Sequence, residues 1–216
     1  MKAVWLLGLL LAVTAGAQGA PESYVRLDFS NPALIPGQWQ LVVHPDGSGH
    51  FHAERGKAPE PSAADMDPVT IDRDVQVSST FAGRVFQTLQ RHLPQDGRCE
   101  SHSKVAFQGV KTLELSGPNG TRSCSFNFAK DKEIGEVADA LGSVAATLVE
   151  GARVEMIWQY DPLGLDKELK YMSEAADDGR LQQICAIRSI LERLREDPAV
   201  MEGVRKRARQ LAQSNQ

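Results

Sequence analysis

The 216-residue sequence has few aromatic residues, only three cysteines and no strong excess of charge of either sign. Aromatic residues make up 6% of the chain and charged residues 24%, and the formal net charge is −4. The charged fraction excludes an integral membrane protein, and a hydrophobic fraction of 42% is too high for a wholly disordered chain. The small negative net charge also argues against a nucleic-acid-binding protein, since such proteins carry a basic surface.

The one long apolar run is Ala3–Val13, and small residues follow it at Ala15–Ala17. Together with the positive charge of Lys2, this pattern predicts a signal peptide over residues 1–17, cleaved before Gln18. The run has eleven residues, whereas a membrane-spanning helix needs about 20. No cysteine directly follows it as a point of lipid attachment. We therefore expect an exported bacterial protein, periplasmic or secreted, with no transmembrane segment after cleavage.

Export changes the interpretation of the three cysteines, because thiols oxidise readily outside the cytosol. Three cysteines allow three single pairings, which the sequence alone does not distinguish. We favour Cys99–Cys124, which closes a loop of about 25 residues and would contribute roughly 3 kcal/mol. Cys185 lies on an apolar helical stripe and is expected to be a free, buried thiol. A reactive Cys185 is the alternative, although no histidine lies in the last third of the chain to activate it.

Residues 24–128 mostly alternate between apolar and polar side chains, which is typical of half-buried strands. The Pro45–Gly49 segment has the composition of a turn and predicts a hairpin between residues 38–44 and 50–54. One helix is predicted over residues 79–93, with capping hydroxyls at 78–80 and Pro94 after its end. Residues 55–69 are expected to form an exposed loop. The remaining predicted strands are 70–77, 104–108, 112–116 and 122–128.

From residue 131 onward the apolar residues recur at the helical period of 3.6. A long helix is predicted up to residue 160, although residues 152–160 also alternate as a strand would. Further helices are predicted at 165–176, 180–195 and 198–212, the last opened by Asp197 as N-cap with Pro198 behind it.

These elements predict an α+β fold, in which an N-terminal antiparallel β-sheet with one packed helix precedes a C-terminal antiparallel helical region. The expected division is a β-rich α+β domain over residues 18–130 and a helical region over 131–216. The two parts either form separate domains or pack as one unit.

The most specific chemical pattern is a group of histidines on the first hairpin. Alternation places His44, His50, His52 and Glu54 on one face, and a five-residue loop would set His44 opposite His50, about 5 Å apart. Converging imidazoles bind zinc or copper, so this group is a candidate metal site. The alternative is a solvent-exposed polar sheet face, because the spacing matches none of the strong zinc motifs.

A basic cluster near the C-terminus gives little support to nucleic-acid binding. Residues 161–216 hold ten acidic and ten basic residues, and no aromatic residues are interleaved with the cluster as base stacking would require. Cations at the end of a helix are favoured by the helix dipole alone. The cluster consists of Arg205, Lys206, Arg207 and Arg209.

The common motifs of hydrolases and nucleotide-binding enzymes are missing from the sequence, so it assigns no catalytic or cofactor-binding residue. The leading hypothesis is a non-catalytic binding or scaffold module of the cell envelope, which meets an unknown protein partner through the helical region. The alternative is a zinc- or copper-binding protein that uses the hairpin histidines. A hydrolase without a recognisable motif is a third possibility.

Overall fold

A computed structural model of the chain describes residues 23–56 and 67–214. The predicted signal peptide and most of the predicted loop at 55–69 lie outside these residues. The strands are β1 Tyr24–Ser30, β2 Gln38–Val43, β3 Ser48–Glu54, β4 Thr70–Gln76, β5 Val110–Gly117 and β6 Gly120–Phe126. The helices are α1 Ser79–His92, α2 Lys132–Tyr160, α3 Leu165–Asp177, α4 Arg188–Glu196 and α5 Glu202–Gln213, with short 3₁₀ helices at Pro162–Gly164 and Ile184–Ile187. The predicted α+β fold is confirmed.

The six strands form one antiparallel sheet in the order β4-β3-β2-β1-β5-β6. Most odd-numbered side chains of β1, β2 and β3 point to one face, where Leu27, Leu41 and Phe51 are buried. Even-numbered side chains on these strands are polar with few exceptions, as the period-two pattern predicts. The sheet therefore has an apolar face that packs against helices and a polar face, here called the open face.

Both helices that follow strands begin at a residue whose side chain caps them, and the cap of the first lies among the hydroxyls predicted at 78–80. The Ser78 hydroxyl accepts a hydrogen bond from the backbone N–H of Phe81 at 3.2 Å, which opens α1. The Asp131 carboxylate accepts from the N–H groups of Glu133 and Ile134, which opens α2. The strand alternative for residues 152–160 is wrong, because α2 continues without a break to Tyr160.

Gly151 is needed within α2 because another segment of the chain lies directly against it. A Cβ atom at this position would lie 2.5 Å from Cγ2 of Ile187, in the 3₁₀ helix at Ile184–Ile187. This close approach explains a residue that is otherwise unfavourable in the middle of a helix.

Two predicted helix starts in the C-terminal region are wrong. The predicted helix 180–195 begins only at Ile184 as a 3₁₀ turn and becomes α4 at Arg188, because Gln183 has a left-handed backbone with φ of 55°. Its side chain, in turn, accepts a hydrogen bond from the N–H of Ser78 at 2.8 Å. The predicted helix 198–212 begins only at Glu202. The Asp197 carboxylate accepts a hydrogen bond from the N–H of Ala199, but this bond closes a turn and does not start a helix.

The predicted strand 104–108 is also wrong. This segment is exposed and irregular, and Gly109 reaches a φ of 124° just before β5 begins at Val110. Val105 and Phe107 alternate with polar residues, but both remain exposed, at 39% and 60%. Alternation is therefore not enough for a strand where no neighbouring strand is available to pair with it.

The buried apolar side chains of the sheet and of all five helices form one contiguous cluster. Helix α2 contributes twelve of the buried residues and contacts α1, α3 and the Ile184–Ile187 turn. The two halves of the chain therefore pack against each other, and their division into separate folding units stays a prediction.

The predicted disulfide is confirmed: Cys99 and Cys124 are bonded, with Cα atoms 5.8 Å apart. It fastens the segment before β5 to strand β6. Cys185 is free, as expected, but it is partly exposed within the 3₁₀ turn rather than buried on a helix. None of the described helices is long and apolar enough to cross a membrane.

Candidate functional site

The open face of the sheet carries a network of polar and charged side chains. Arg26 of β1 contacts Asp28 at 3.0 Å and Glu114 of β5 at 2.9 Å. The Tyr24 hydroxyl donates to Glu114 at 2.6 Å, and this hydrogen bond raises the pKa of the phenol. Gln40 donates to Asp28 at 2.6 Å. Most of these polar groups are therefore engaged with each other across neighbouring strands.

Two of the predicted metal-site histidines lie on this face, at β3, opposite carboxylates of β4. His52 Nδ1 lies 2.9 Å from Asp72, and its Nε2 lies 3.4 Å from Glu54. His50 lies 3.1 Å from Asp74 and 3.3 Å from Asp72. The hydrogen bond to Asp72 raises the pKa of His52, and the same bond lowers the pKa of Asp72.

His44 does not lie opposite His50, contrary to the expectation from the sequence. The N–H of His44 donates to the carbonyl of Ser48 at 2.7 Å, so the turn between them has three residues rather than five. His50 consequently pairs with Val42. The ring of His44 turns toward the start of β1, with Nδ1 3.2 Å from the carbonyl oxygen of Ser23.

Among residues 23–56 and 67–214, no three or more His, Cys, Asp or Glu side chains form a group able to hold a metal ion. The His44, His50, His52 and Glu54 metal site stays a prediction of the sequence. What the structure brings together on the hairpin is a row of histidine–carboxylate pairs.

The larger candidate site is a groove of about 430 Å³ between the apolar face of the sheet and helix α2, here called the sheet–helix groove. The stacked rings of Phe29 and Trp39, with centroids 5.1 Å apart, form part of its wall. Small residues of α2 leave the space open opposite them. The lining residues are Leu27, Phe29, Leu34, Ile35, Pro36, Trp39, Lys111, Ala138, Asp139, Gly142, Ser143, Ala145, Ala146, Val149, Glu150 and Arg180.

Few charged groups border this groove, and most of them have partners. Lys111 contacts Asp139 of α2 at 2.9 Å. Arg180 lies over the ring of Tyr171 at 5.3 Å and contacts Asp178 at 3.2 Å. The groove thus combines a mainly apolar wall with a few charged groups, the usual composition of a small-molecule site.

Glu150 is the remaining charged group of the groove, and it has an unusual environment. Its burial, together with a hydrogen bond to the carboxyl group of Glu168 on α3, raises its pKa to about 8. Arg153 opposes this shift in part. Two carboxyl groups can form a hydrogen bond only through a proton, so Glu150 and Glu168 share one at neutral pH.

A second cavity of about 380 Å³ lies on the α3 side of Glu150 and is here called the carboxylate cavity. The guanidinium group of Arg153 lies beside this cavity and forms ion pairs with the carboxylates of Glu168 and Asp67, each at 3.6 Å. The cavity is lined by Glu150, Arg153, Ile157, Asp161, Gly164, Lys167, Glu168 and Tyr171. Glu150 therefore borders both cavities.

Sequence reasoning did not identify Glu150 or Glu168. One signal was present: within the predicted helix 165–176, Glu168 lies next to Leu169 and one turn after Leu165, beside two apolar residues at helical spacing. A carboxylate at such a position needs a partner in the fold.

No family model matches the chain, and neither a curated protein nor a solved structure shows detectable similarity to it. The geometry of the chain itself therefore carries the functional argument.

Proposed function

We propose that the chain is an exported, non-catalytic binding protein of the cell envelope that holds an apolar small molecule in the sheet–helix groove. The observation that carries this proposal is the groove itself, with its apolar wall and its few charged groups. Export is supported by the signal-peptide pattern and by the Cys99–Cys124 disulfide, which needs an oxidising compartment to form and persist.

The size and lining of the groove favour a small molecule as its occupant. Its volume of about 430 Å³ lies within the usual range of small-molecule sites. Most of its floor and walls come from strands and α2, whose backbone groups are already paired, so side chains make the contacts. Burying the ligand against Phe29 and Trp39 supplies the free energy of binding, and the charged side chains that line the groove can meet a polar group of the ligand.

The predicted protein partner of the helical region is a separate expectation. The stripes of α3, α4 and α5 that the sequence shows as apolar are buried in the core. The groove proposal does not depend on such a partner.

The test uses the chain expressed with its own leader and purified from the periplasm, with its N-terminus determined. The probe is N-phenyl-1-naphthylamine, an apolar dye whose fluorescence rises when it leaves water. We expect saturable binding of one dye per chain. In the Gly142→Leu variant, where the new side chain points into the groove and meets no atom within 4 Å at Cβ, affinity should fall at least tenfold.

Gly83→Leu on α1 is the matched control, because Gly83 is exposed, has equally open space at Cβ and lies away from the groove. Its affinity should equal that of the wild type. Wild-type protein that fails to bind the dye, or an equal loss in both variants, would overturn the proposal.

A further inference from the structure

We infer that the ligand of the sheet–helix groove is an amphiphile with an unbranched apolar chain and a single carboxylate, and that Lys111 binds this carboxylate. The inference deepens the proposed function and rests on it. It is carried by an enclosed lysine at one end of an elongated groove whose wall is mainly apolar.

Lys111 lies on the face of the sheet that packs against the helices. It shares this face of β5 with Leu113 and Leu115, which are buried. Across the neighbouring strands its partners in register are Phe29 and Phe126. The lysine side chain is only 17% exposed. Enclosing a charged group among apolar residues costs free energy unless an anion accompanies it.

The anion that the fold supplies to Lys111 is itself exposed to water. Nζ of Lys111 lies 2.9 Å from Oδ1 of Asp139 on α2, but the side chain of Asp139 is 71% exposed. Water and salt screen an exposed carboxylate more strongly than an enclosed ammonium group. The hydrogen bond to Asp139 also uses only one of the three N–H groups of the lysine. This end of the groove is therefore suited to a second carboxylate.

The other charged groups that line the groove do not oppose an anion at Lys111. Arg180 is a cation, and it is already engaged with Asp178 at 3.2 Å. The helical rise places Glu150 about 16 Å from Asp139 along the axis of α2. A head group bound at Lys111 is therefore distant from the Glu150 carboxyl group.

The shape of the groove favours a chain over a compact molecule. Its wall on α2 runs from Ala138 to Glu150, about three turns of helix. Small residues recur along this wall, so a trough remains between the helix and the sheet. An apolar chain that extends from Lys111 into the trough lies against the rings of Phe29 and Trp39 and loses its contact with water.

The experiment is displacement of N-phenyl-1-naphthylamine from the exported chain at pH 7, where carboxylates are ionised. The competitors have equal chain length and different head groups: decanoate, 1-decanol and decyltrimethylammonium. We expect decanoate to bind at least tenfold more tightly than decanol, although decanol is the more apolar molecule, because the enclosed ammonium group pairs with the carboxylate. Decyltrimethylammonium should bind most weakly of the three.

The variants are compared by the ratio of decanoate affinity to decanol affinity. Lys111→Met keeps the length of the side chain and removes its charge, so the ratio should fall at least tenfold. In Asp139→Asn the ratio should rise at least threefold, because the competing carboxylate is neutralised. Lys170→Met, at an exposed position of α3 outside the groove, is the matched control and should keep the wild-type ratio.

Thermal melts show whether each variant is folded. An unchanged ratio in folded Lys111→Met would overturn the inference and leave the Lys111–Asp139 pair a contact of the fold alone. An unchanged ratio in Asp139→Asn would overturn it as well, and this variant decides the question if Lys111→Met does not fold.

The two proposals fail separately. Wild-type protein that does not bind the dye would reject the groove as a binding site. Saturable dye binding that decanoate and decanol displace with equal affinity would keep the groove and reject the carboxylate ligand.

Discussion

Nε1 of Trp158, near the end of helix α2, donates a hydrogen bond to Oδ2 of Asp197 at 2.9 Å. The other oxygen of the same carboxylate accepts from the N–H of Ala199 at 2.9 Å, in the connection between α4 and α5. Arg193 of α4 lies 5.7 Å over the indole ring. One carboxylate thus orders the last connection of the chain and fixes it to the central helix.

Replacing Asp197 with alanine should therefore destabilise the fold by about 1–2 kcal/mol, since a partly buried indole N–H and a turn lose their acceptor together. Chemical denaturation measures the change. Asp177→Ala, an exposed carboxylate at the end of α3, is the matched control and should shift stability by less than about 0.5 kcal/mol. Equal effects of both substitutions would contradict the role given to Asp197.

Removing the disulfide with the double variant Cys99→Ser/Cys124→Ser should cost about 3 kcal/mol, because the unfolded chain regains the freedom of a loop with a sequence separation of 25. Reduction of the wild type should have the same effect in denaturation curves. The Cys185→Ser variant should retain wild-type sensitivity to reductant, and the native protein should contain one free thiol. Stability that is independent of reductant would count against a structural disulfide.

The stability of the protein should fall with rising pH because of Glu150. Its pKa of about 8 in the folded state exceeds its ordinary value of 4.5, so between these values the folded state binds the extra proton. The contribution is present in full below about pH 4.5, is lost progressively up to about pH 8, and amounts to a few kcal/mol.

Glu150→Gln should flatten this part of the stability profile, as measured by denaturant unfolding at pH 5, 6.5 and 8. Glu136→Gln, an exposed glutamate on the same helix, should leave the slope unchanged. Equal slopes in the wild type and Glu150→Gln would show that Glu150 ionises normally.

His52 should titrate above the ordinary pKa of histidine, because its hydrogen bonds to Asp72 and Glu54 favour the charged ring. NMR titration of the imidazole signals measures this directly. Asp72→Asn should lower the pKa of His52, whereas Asp74→Asn, whose carboxylate contacts His50 instead, should leave it nearly unchanged. An unaltered His52 titration in Asp72→Asn would show that the contact does not persist in solution.

Elements with a strong local signal were predictable from the sequence. Ser78 and Asp131 are at the positions where α1 and α2 begin, and the hairpin at Pro45–Gly49 joins the predicted strands. The errors occur where a distant contact decides the local conformation. Gln183 takes a left-handed backbone while its side chain accepts from Ser78, more than a hundred residues away, and helix propensity contains no information about that contact.

The candidate sites were harder to predict from the sequence than the secondary structure. The three histidines were visible as a pattern, but the strand register that would bring them together depended on the length of one turn. That turn has three residues instead of the expected five, so His44 lies opposite Ser48 and not opposite His50. Glu150 and Glu168 are two of 28 acidic residues, and they meet only because the α2–α3 connection folds one helix onto the other. No spacing rule selects such a pair in advance.

Among residues 23–56 and 67–214 the sheet is open at both sides, so β4 and β6 each have one backbone edge without a neighbouring described strand. Unprotected edges of this kind recruit strands from other molecules and lead to aggregation. Here β4 carries three consecutive charges, Asp72, Arg73 and Asp74, and Arg73 is held by Glu155 of α2 at 2.8 Å. On the other side of the sheet, Arg122 of β6 donates a hydrogen bond to the carbonyl of Leu93 at 2.7 Å, and Cys124 of the same strand is bonded to Cys99. The same contacts that order the fold thus also discourage intermolecular strand pairing.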